Sequence, residues 1–208
     1  MDKKELLELL KREGHLRTKA VIEAFEKVPR ENFVPPDLRH HAYINEPLPI
    51  GEGQTISQPL TVADMTEALE VKKGQKVLEV GAGSGYQAAL LSEIVGPKGK
   101  VITIERIHSL AEKARRNLKD YKNVEVVEGD GTLGFPKAAP YDRIIVTATA
   151  PSVPEPLKEQ LKVGGLMVIP VGGLIQVIKV LKKKRKGFEE RLLGFYAFVP
   201  LIGKFGYK

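Results

Sequence analysis

The sequence contains no cysteine. That excludes disulfides, thiolate metal centres and cysteine nucleophiles, and with the last the attack on pyrimidine carbon used in one class of base methylation. Histidine is scarce: only His15, His40, His41 and His108 are present. The adjacent pair His40 and His41 diverges on an extended backbone, so the four suggest no metal set and no metal ligand is expected. No apolar run approaches the roughly 20 residues that a membrane helix requires. The amino-terminal MDKKELLELLKREG is charged and lacks an apolar signal core, so a cytoplasmic protein without membrane contact is expected. Internal repeats and low-complexity tracts are missing as well.

What is present describes a globular chain. Its 208 residues, 42% hydrophobic and 28% charged, suffice for one domain with a full core. A net charge of +7 raises the question of nucleic acid. The densest charge, Lys182 to Lys186 (KKKRK), lies between two alternating apolar stretches and reads as a solvated hairpin turn. Abundant Lys and Glu, few Asn and no Cys resemble a thermophile's composition. No Asn precedes Gly, and the one Asp-Gly pair is Asp130-Gly131.

Helical periodicity covers residues 2–13 and 18–28, and Pro29 ends the second stretch. Residues 30–58, rich in Pro, Gly and polar side chains, read as an ordered loop region. Pro59 opens a helix through about Leu69. From Gly74 strands and helices alternate. Lys76–Val80, Val101–Glu105, Val124–Val127, Asp142–Thr147 and Gly165–Val171 read as strands, with helices over Tyr86–Val95, His108–Leu118 and Val153–Leu161. That alternation predicts an α/β fold, a doubly wound and mostly parallel sheet covered on both faces. Beyond Gly173, Leu174–Leu181 and Arg191–Val199 read as antiparallel strands around the basic turn. The apolar alternation in residues 191–202 reads as core, and the order of the last strands is left open. The expected organisation is one domain: a helical N-terminal cap and substrate loop (1–72), a cofactor-binding core (73–173) and antiparallel C-terminal strands (174–208).

Residues 77–86, VLEVGAGSGY, place Gly81, Gly83 and Gly85 between a strand and a helix. Glycine permits a tight turn and close approach of a ligand to the backbone. Glu105 ends the next strand, where a carboxylate can accept hydrogen bonds from two ribose hydroxyls. Asp130, in GDG after the third strand, can contact an adenine edge. All three features fall at carboxyl ends of adjacent strands, where open sheets bind ligands. A dinucleotide site is the rival reading, but the turn departs from the full G-x-G-x-x-G spacing. The set resembles the class I methyltransferase pattern, which implies a Rossmann-like methyltransferase fold and S-adenosylmethionine as cofactor. On that resemblance Gly81, Gly83, Ser84 and Gly85 line the methionine and ribose, Glu105 holds the ribose, and Arg106, Asp130 and Gly131 flank the adenosine.

The flanking segments carry a narrower resemblance. VPRENFVP (28–35), YINEPLPIGEGQTISQP (43–59), EGDG (128–131), YDRIIVTATAPSVP (141–154), GGLMVIPVG (164–172) and FVPLIGKFGY (198–207) resemble the protein-L-isoaspartate O-methyltransferase family. The resemblance spans nearly the whole chain, and TISQP is its most specific part. It implies methyl transfer from S-adenosylmethionine to the α-carboxylate of an L-isoaspartyl residue in a damaged protein, with S-adenosylhomocysteine as product. It also implies Ser57 as the active-site serine, with Gln54, Thr55 and Ile56 lining cofactor and substrate. Such an acceptor is already ionised at neutral pH, so alignment rather than a strong base is what the site must supply. A monomer is the simplest expectation, with damaged proteins as partners and no nucleic acid. A nucleic-acid methyltransferase is the alternative that the net charge motivates; no Asn-Pro-Pro-Tyr-type motif supports it. Plainer readings stand beside these assignments: Ser57 as a helix cap, Glu105 as a solvated strand end, Arg106 as a solvated side chain, Tyr86 as packing beneath the turn, and Arg30 as a tie between cap and core.

Overall fold

The computed structural model describes residues 1–208. The chain opens on a reciprocal cap. The Asp2 carboxylate accepts from the Glu5 amide at 2.9 Å, and the Glu5 carboxylate accepts from the Asp2 amide at 2.8 Å. This satisfies two otherwise free donors at the start of helix α1 (Lys3–Arg12). Leu6 and Leu10 of α1 and Val21, Ala24 and Phe25 of α2 (Lys19–Lys27) are buried, at helical spacing. The segment expected as loop holds two 3-10 turns, Arg30–Phe33 and Pro36–His41, and a small hairpin of β1 (Leu48–Gly51) and β2 (Gln54–Ile56). Strands of four and three residues are too short to show a period. His40 and His41 lie in the second 3-10 turn, so their rings approach to 3.9 Å between centroids instead of diverging. Helix α3 (Pro59–Leu69) follows, with proline in its first turn.

The main sheet comprises β3 (Lys76–Val80), β4 (Lys100–Glu105), β5 (Val124–Glu128), β6 (Tyr141–Val146), β7 (Leu161–Gly172), β8 (Gln176–Lys183) and β9 (Phe188–Phe195). Their spatial order is β5-β4-β3-β6-β7-β8-β9. The first five in that order run parallel, and β8 and β9 add an antiparallel meander. Helices α4 (Tyr86–Val95), α5 (His108–Asn117) and α6 (Glu155–Gln160) connect the parallel strands. Each central strand is buried on both faces, with Leu78 and Val80 in one apolar cluster and Val77 in the other. That double burial is why these strands read as continuous apolar runs rather than as alternating ones.

The carboxyl-terminal third departs from expectation in two places. The basic run is only partly a turn. Lys182 and Lys183 belong to β8, and the Lys183 ammonium donates to the Lys158 and Glu159 carbonyls at the end of α6, at 2.7 and 3.1 Å. The turn itself is residues 184–187. It lies at the opposite end of the sheet from the carboxyl ends of the parallel strands. The alternation in residues 191–202 is not uniformly core. β9 ends at Phe195, and Leu192 and Phe195 are 60% and 76% exposed. The reason is position: β9 is the edge strand, and its outward residues have no helix above them. Residues after Phe195 leave the sheet and return across its carboxyl edge, where Leu201 is buried and bonded to Thr149 through its amide at 2.8 Å.

Candidate active site

The strand order creates the crevice. From β3 the chain moves outward through β4 and β5, then crosses back to β6, the other neighbour of β3. Carboxyl ends diverge at such a switch point and leave room for a ligand. Here the gap is bridged by Thr147, whose amide donates to the Val80 carbonyl at 3.0 Å and whose hydroxyl donates to the Gly81 carbonyl at 2.7 Å. Gly81 has φ +97°, and a side chain there would strike the Thr147 hydroxyl, so the position admits only glycine. The Gly83 amide donates to Oε2 of Glu105 at 2.9 Å, and the Ile107 amide donates to Oε1 at 3.0 Å. Glu105 is therefore not a solvated strand end. It is buried, fixed by two backbone donors, and lines the cavity with one lone pair on each oxygen still to be used.

The cavity gathers Gln54, Thr55, Ile56 and Ser57 on one side and Gly81, Gly83 and Ser84 on the other, with Glu105, Arg106 and Gly131 completing it. Two residues expected there stand elsewhere. Gly85, at φ +90°, precedes α4 without lining the cavity; a Cβ there would lie 2.9 Å from Leu118, so this glycine serves the packing of α5's end against the turn. Asp130 is also outside. Its Oδ1 accepts from the Thr132 amide at 2.9 Å and hydroxyl at 2.6 Å, and its Oδ2 accepts from the Lys204 amide at 2.8 Å. Burial opposes the charge, but the Lys204 and Thr132 donors outweigh it and hold the carboxyl below the usual range. Asp130 thus ties down the C-terminal segment, while its neighbour Gly131 lines the cavity. Arg106 is exposed, at the rim.

Ser57 follows β2 and is half-buried. It is not the cap of α3. Gln58 holds that position without a side-chain bond, and the Leu60 amide is met by Oδ1 of Asn45 at 3.0 Å. The Ser57 hydroxyl makes no hydrogen bond within the protein, while its carbonyl accepts from Nη2 of Arg30 at 2.8 Å. Tyr86 packs beneath the turn against Phe33, ring centroids 5.5 Å apart, and burial pushes its hydroxyl up to about 12. Residues that the sequence reading missed include Glu79, Thr147 and Val199 to Ile202. Glu79 carried a visible signal, as the one acidic residue in an apolar strand. It is fully buried and neither carboxyl oxygen has a partner. Burial pushes it up to about 8; the Thr103 hydroxyl opposes the shift and the Glu105 charge adds to it. The C-terminal wall carried no such signal, since only the return of the chain across the sheet brings it to the cavity.

The family model described as protein-L-isoaspartate(D-aspartate) O-methyltransferase matches residues 1–206. The chain belongs to this family. Relatives in the family include the protein-L-isoaspartate O-methyltransferase of Ignicoccus hospitalis, 57% identical over 96% of this chain and 97% of that one. That of Methanothrix thermoacetophila is 53% identical over 100% and 98%. Among solved structures, a protein-L-isoaspartate O-methyltransferase superposes with a TM-score of 0.89 at 33% identity, covering 99% of this chain and 67% of the other. A structure from Plasmodium falciparum, assigned to the same activity and in complex with S-adenosyl-L-homocysteine, superposes with a TM-score of 0.85 at 26% identity over 97% and 99%. As a member of the protein-L-isoaspartate O-methyltransferase family, the chain is an S-adenosylmethionine-dependent methyltransferase.

The residues present fit that cofactor. A ribose diol requires a fixed acceptor, and Glu105 is one. A cationic sulfonium or ammonium group favours nearby carboxyl oxygens, and the orphaned pair on Glu79 stands in the cavity wall. Nothing in the turn is built to cradle a pyrophosphate beyond the single helix start, which S-adenosylmethionine does not need.

Proposed function

We propose that this chain methylates the α-carboxylate of L-isoaspartyl residues in damaged proteins, with Ser57 orienting the acceptor. S-adenosylmethionine, when bound, supplies an electrophilic methyl group and leaves as S-adenosylhomocysteine. The chain's own task is alignment. Glu105 holds the ribose, and the Gly81–Ser84 turn lets the cofactor approach the backbone closely. Gln54, Thr55, Ile56, Arg106 and Gly131 close around it. The Ser57 hydroxyl donates to one oxygen of the acceptor carboxylate and leaves the other free to face the methyl carbon. No general base is needed, because the acceptor carries its charge at neutral pH. Apolar Val199, Leu201 and Ile202 exclude water from the reacting atoms.

One observation carries this reading. The cavity has a glycine turn with a buried ribose-type acceptor as its far wall, and on the opposite wall the Ser57 hydroxyl makes no hydrogen bond within the protein and is free to meet an acceptor. Against the nucleic-acid alternative, the densest basic run ends in a turn at the opposite end of the sheet from the cavity. The segments 1–72, 73–173 and 174–208 act in this proposal as one catalytic unit, a cytoplasmic monomer. The test is methyl transfer from tritiated S-adenosylmethionine to two peptides that differ only in L-isoaspartate or L-aspartate at one position. Label on the isoaspartyl peptide alone is expected. Label on neither, with transfer to RNA instead, overturns the proposal.

A further inference from the structure

Arg30 is the largest fully buried side chain in the molecule, and it has no carboxylate partner. The adjacent Glu31 is engaged by the Tyr43 hydroxyl. The guanidinium instead spends its donors on two carbonyls: Nε on Ala42 at 2.8 Å and Nη2 on Ser57 at 2.8 Å. Nη1 has no partner, and the guanidinium carbon sits 5.1 Å from the centre of the Tyr86 ring. Burial pulls the group down to about 10, which leaves it charged at neutral pH. An apolar side chain of similar volume would fill this space without the penalty of desolvating a cation. Simple packing therefore does not account for an arginine here. What the arginine adds is a rigid planar fork that spans groups distant in sequence, which a lysine cannot reproduce.

The groups it joins are telling. Ala42 closes the second 3-10 turn, Ser57 is the proposed acceptor-orienting residue, and Tyr86 is the first residue of α4 after the glycine turn. A bond to the Ser57 carbonyl fixes the peptide plane that follows this residue. With the short β1–β2 hairpin on its other side, that bond fixes the backbone from which the hydroxyl projects. Tyr86 lines the same cavity. The guanidinium thus touches both the serine loop, through the Ser57 carbonyl, and Tyr86 at the floor of the cofactor turn.

We infer that Arg30 is a positioning residue for the methyl transfer, one that holds the Ser57 loop in register with the glycine turn. Misplacing a reacting partner by roughly 1 Å can lower a rate about 100-fold, so small slack in this loop has a large effect on turnover. The inference rests on the assignment of Ser57, and the test separates the two.

The experiment is a double-mutant cycle of Arg30→Lys and Ser57→Ala. It measures turnover on the isoaspartyl peptide, KM for that peptide, S-adenosylmethionine affinity by calorimetry and the melting temperature. Lysine keeps the charge and most of the stem but loses the fork. Arg30→Lys is expected to lower kcat about tenfold or more while cofactor affinity stays within twofold. In the Ser57→Ala background the same change is expected to lower kcat by less than twofold, because the loop then has no hydroxyl to place. A full additional loss in that background overturns the inference alone. So does wild-type kcat in Arg30→Lys, or a loss of cofactor affinity in parallel with kcat. Unchanged turnover in Ser57→Ala overturns the serine assignment and this inference with it. If Arg30→Lys does not fold, Arg30→Gln, which keeps one donor for the Ser57 carbonyl, replaces it. Failure of both to fold makes Arg30 a folding residue and also overturns the proposal.

Discussion

On one side of the cavity Gly81, Gly83 and Ser84 come from a single stretch of chain between β3 and α4. On the other side Gln54 to Ser57 hang from a three-residue strand and are held by Arg30, 27 residues earlier. The first wall is set by left-handed backbone conformations that favour glycine, and at Gly81 require it, and by hydrogen bonds to the adjacent strand. The second is set by long-range bonds, one of them from a buried cation. The contrast teaches a division of labour. A cofactor with a fixed shape is met by a wall whose geometry is local. On the proposed assignment, the polypeptide acceptor meets Ser57 on the second wall, which the rest of the fold must orient. Substitutions on the two sides are therefore expected to separate affinity from turnover.

The largest effects sharpen that contrast. Ser57→Ala removes a hydrogen bond to a charged acceptor, worth about 1.5–3 kcal/mol, so turnover is expected to fall roughly 10- to 100-fold. Cofactor affinity by calorimetry is expected to hold within about twofold. Glu105→Ala is expected to do the reverse, weakening S-adenosylmethionine binding by a similar factor, since it also frees the Gly83 and Ile107 amides. If both variants lose affinity and turnover together, the two walls are not separable.

An intermediate effect concerns pH. The Glu79 carboxyl ordinarily titrates near 4.5 and is raised to about 8 by burial in the fold. Below about 4.5 both folded and unfolded chains hold the proton; between that pH and about 8 the folded chain holds it and the unfolded chain does not. Stability of the cofactor-free protein therefore falls as the pH rises through this window and levels off above it. Melting temperature measured from pH 5 to 9 is expected to show that decline, and Glu79→Gln is expected to flatten it. An unchanged slope in the variant would place the titrating group elsewhere.

The smallest effect tests the glycine that does not reach the cavity. Gly85→Ala forces a left-handed backbone on alanine and presses Leu118, at a cost of about 1–2 kcal/mol. A fall of a few degrees in melting temperature is expected, with cofactor affinity unchanged. A large loss of affinity would return Gly85 to the cofactor wall.

The central α/β pattern, the glycine turn and Glu105 were legible because each depends on neighbours within one strand, turn or helix. Apolar residues that recur every third or fourth position, or run unbroken through a buried strand, report their local environment directly. Ser57 was legible only through the resemblance of TISQP to a family, and the residues themselves allowed a helix cap. The structure decided against the cap because Asn45 supplies that bond from 15 residues away. Asp130 shows the opposite case. Its place after a strand suggested adenine, and the structure adds that its carboxylate holds a segment 74 residues later.

Sequence alone determined which residues form the parallel core and where it must open for a ligand, since backbone freedom and periodic burial are local properties. Tertiary structure alone decided which polar groups remain free in that opening. Glu79 is orphaned, Asp130 is occupied, the Ser57 hydroxyl is uncommitted and Arg30 is buried without a counter-ion because of partners far along the chain. It also decided that β9 leaves Leu192 and Phe195 in solvent, because periodicity marks an apolar face but does not say whether another element arrives to cover it.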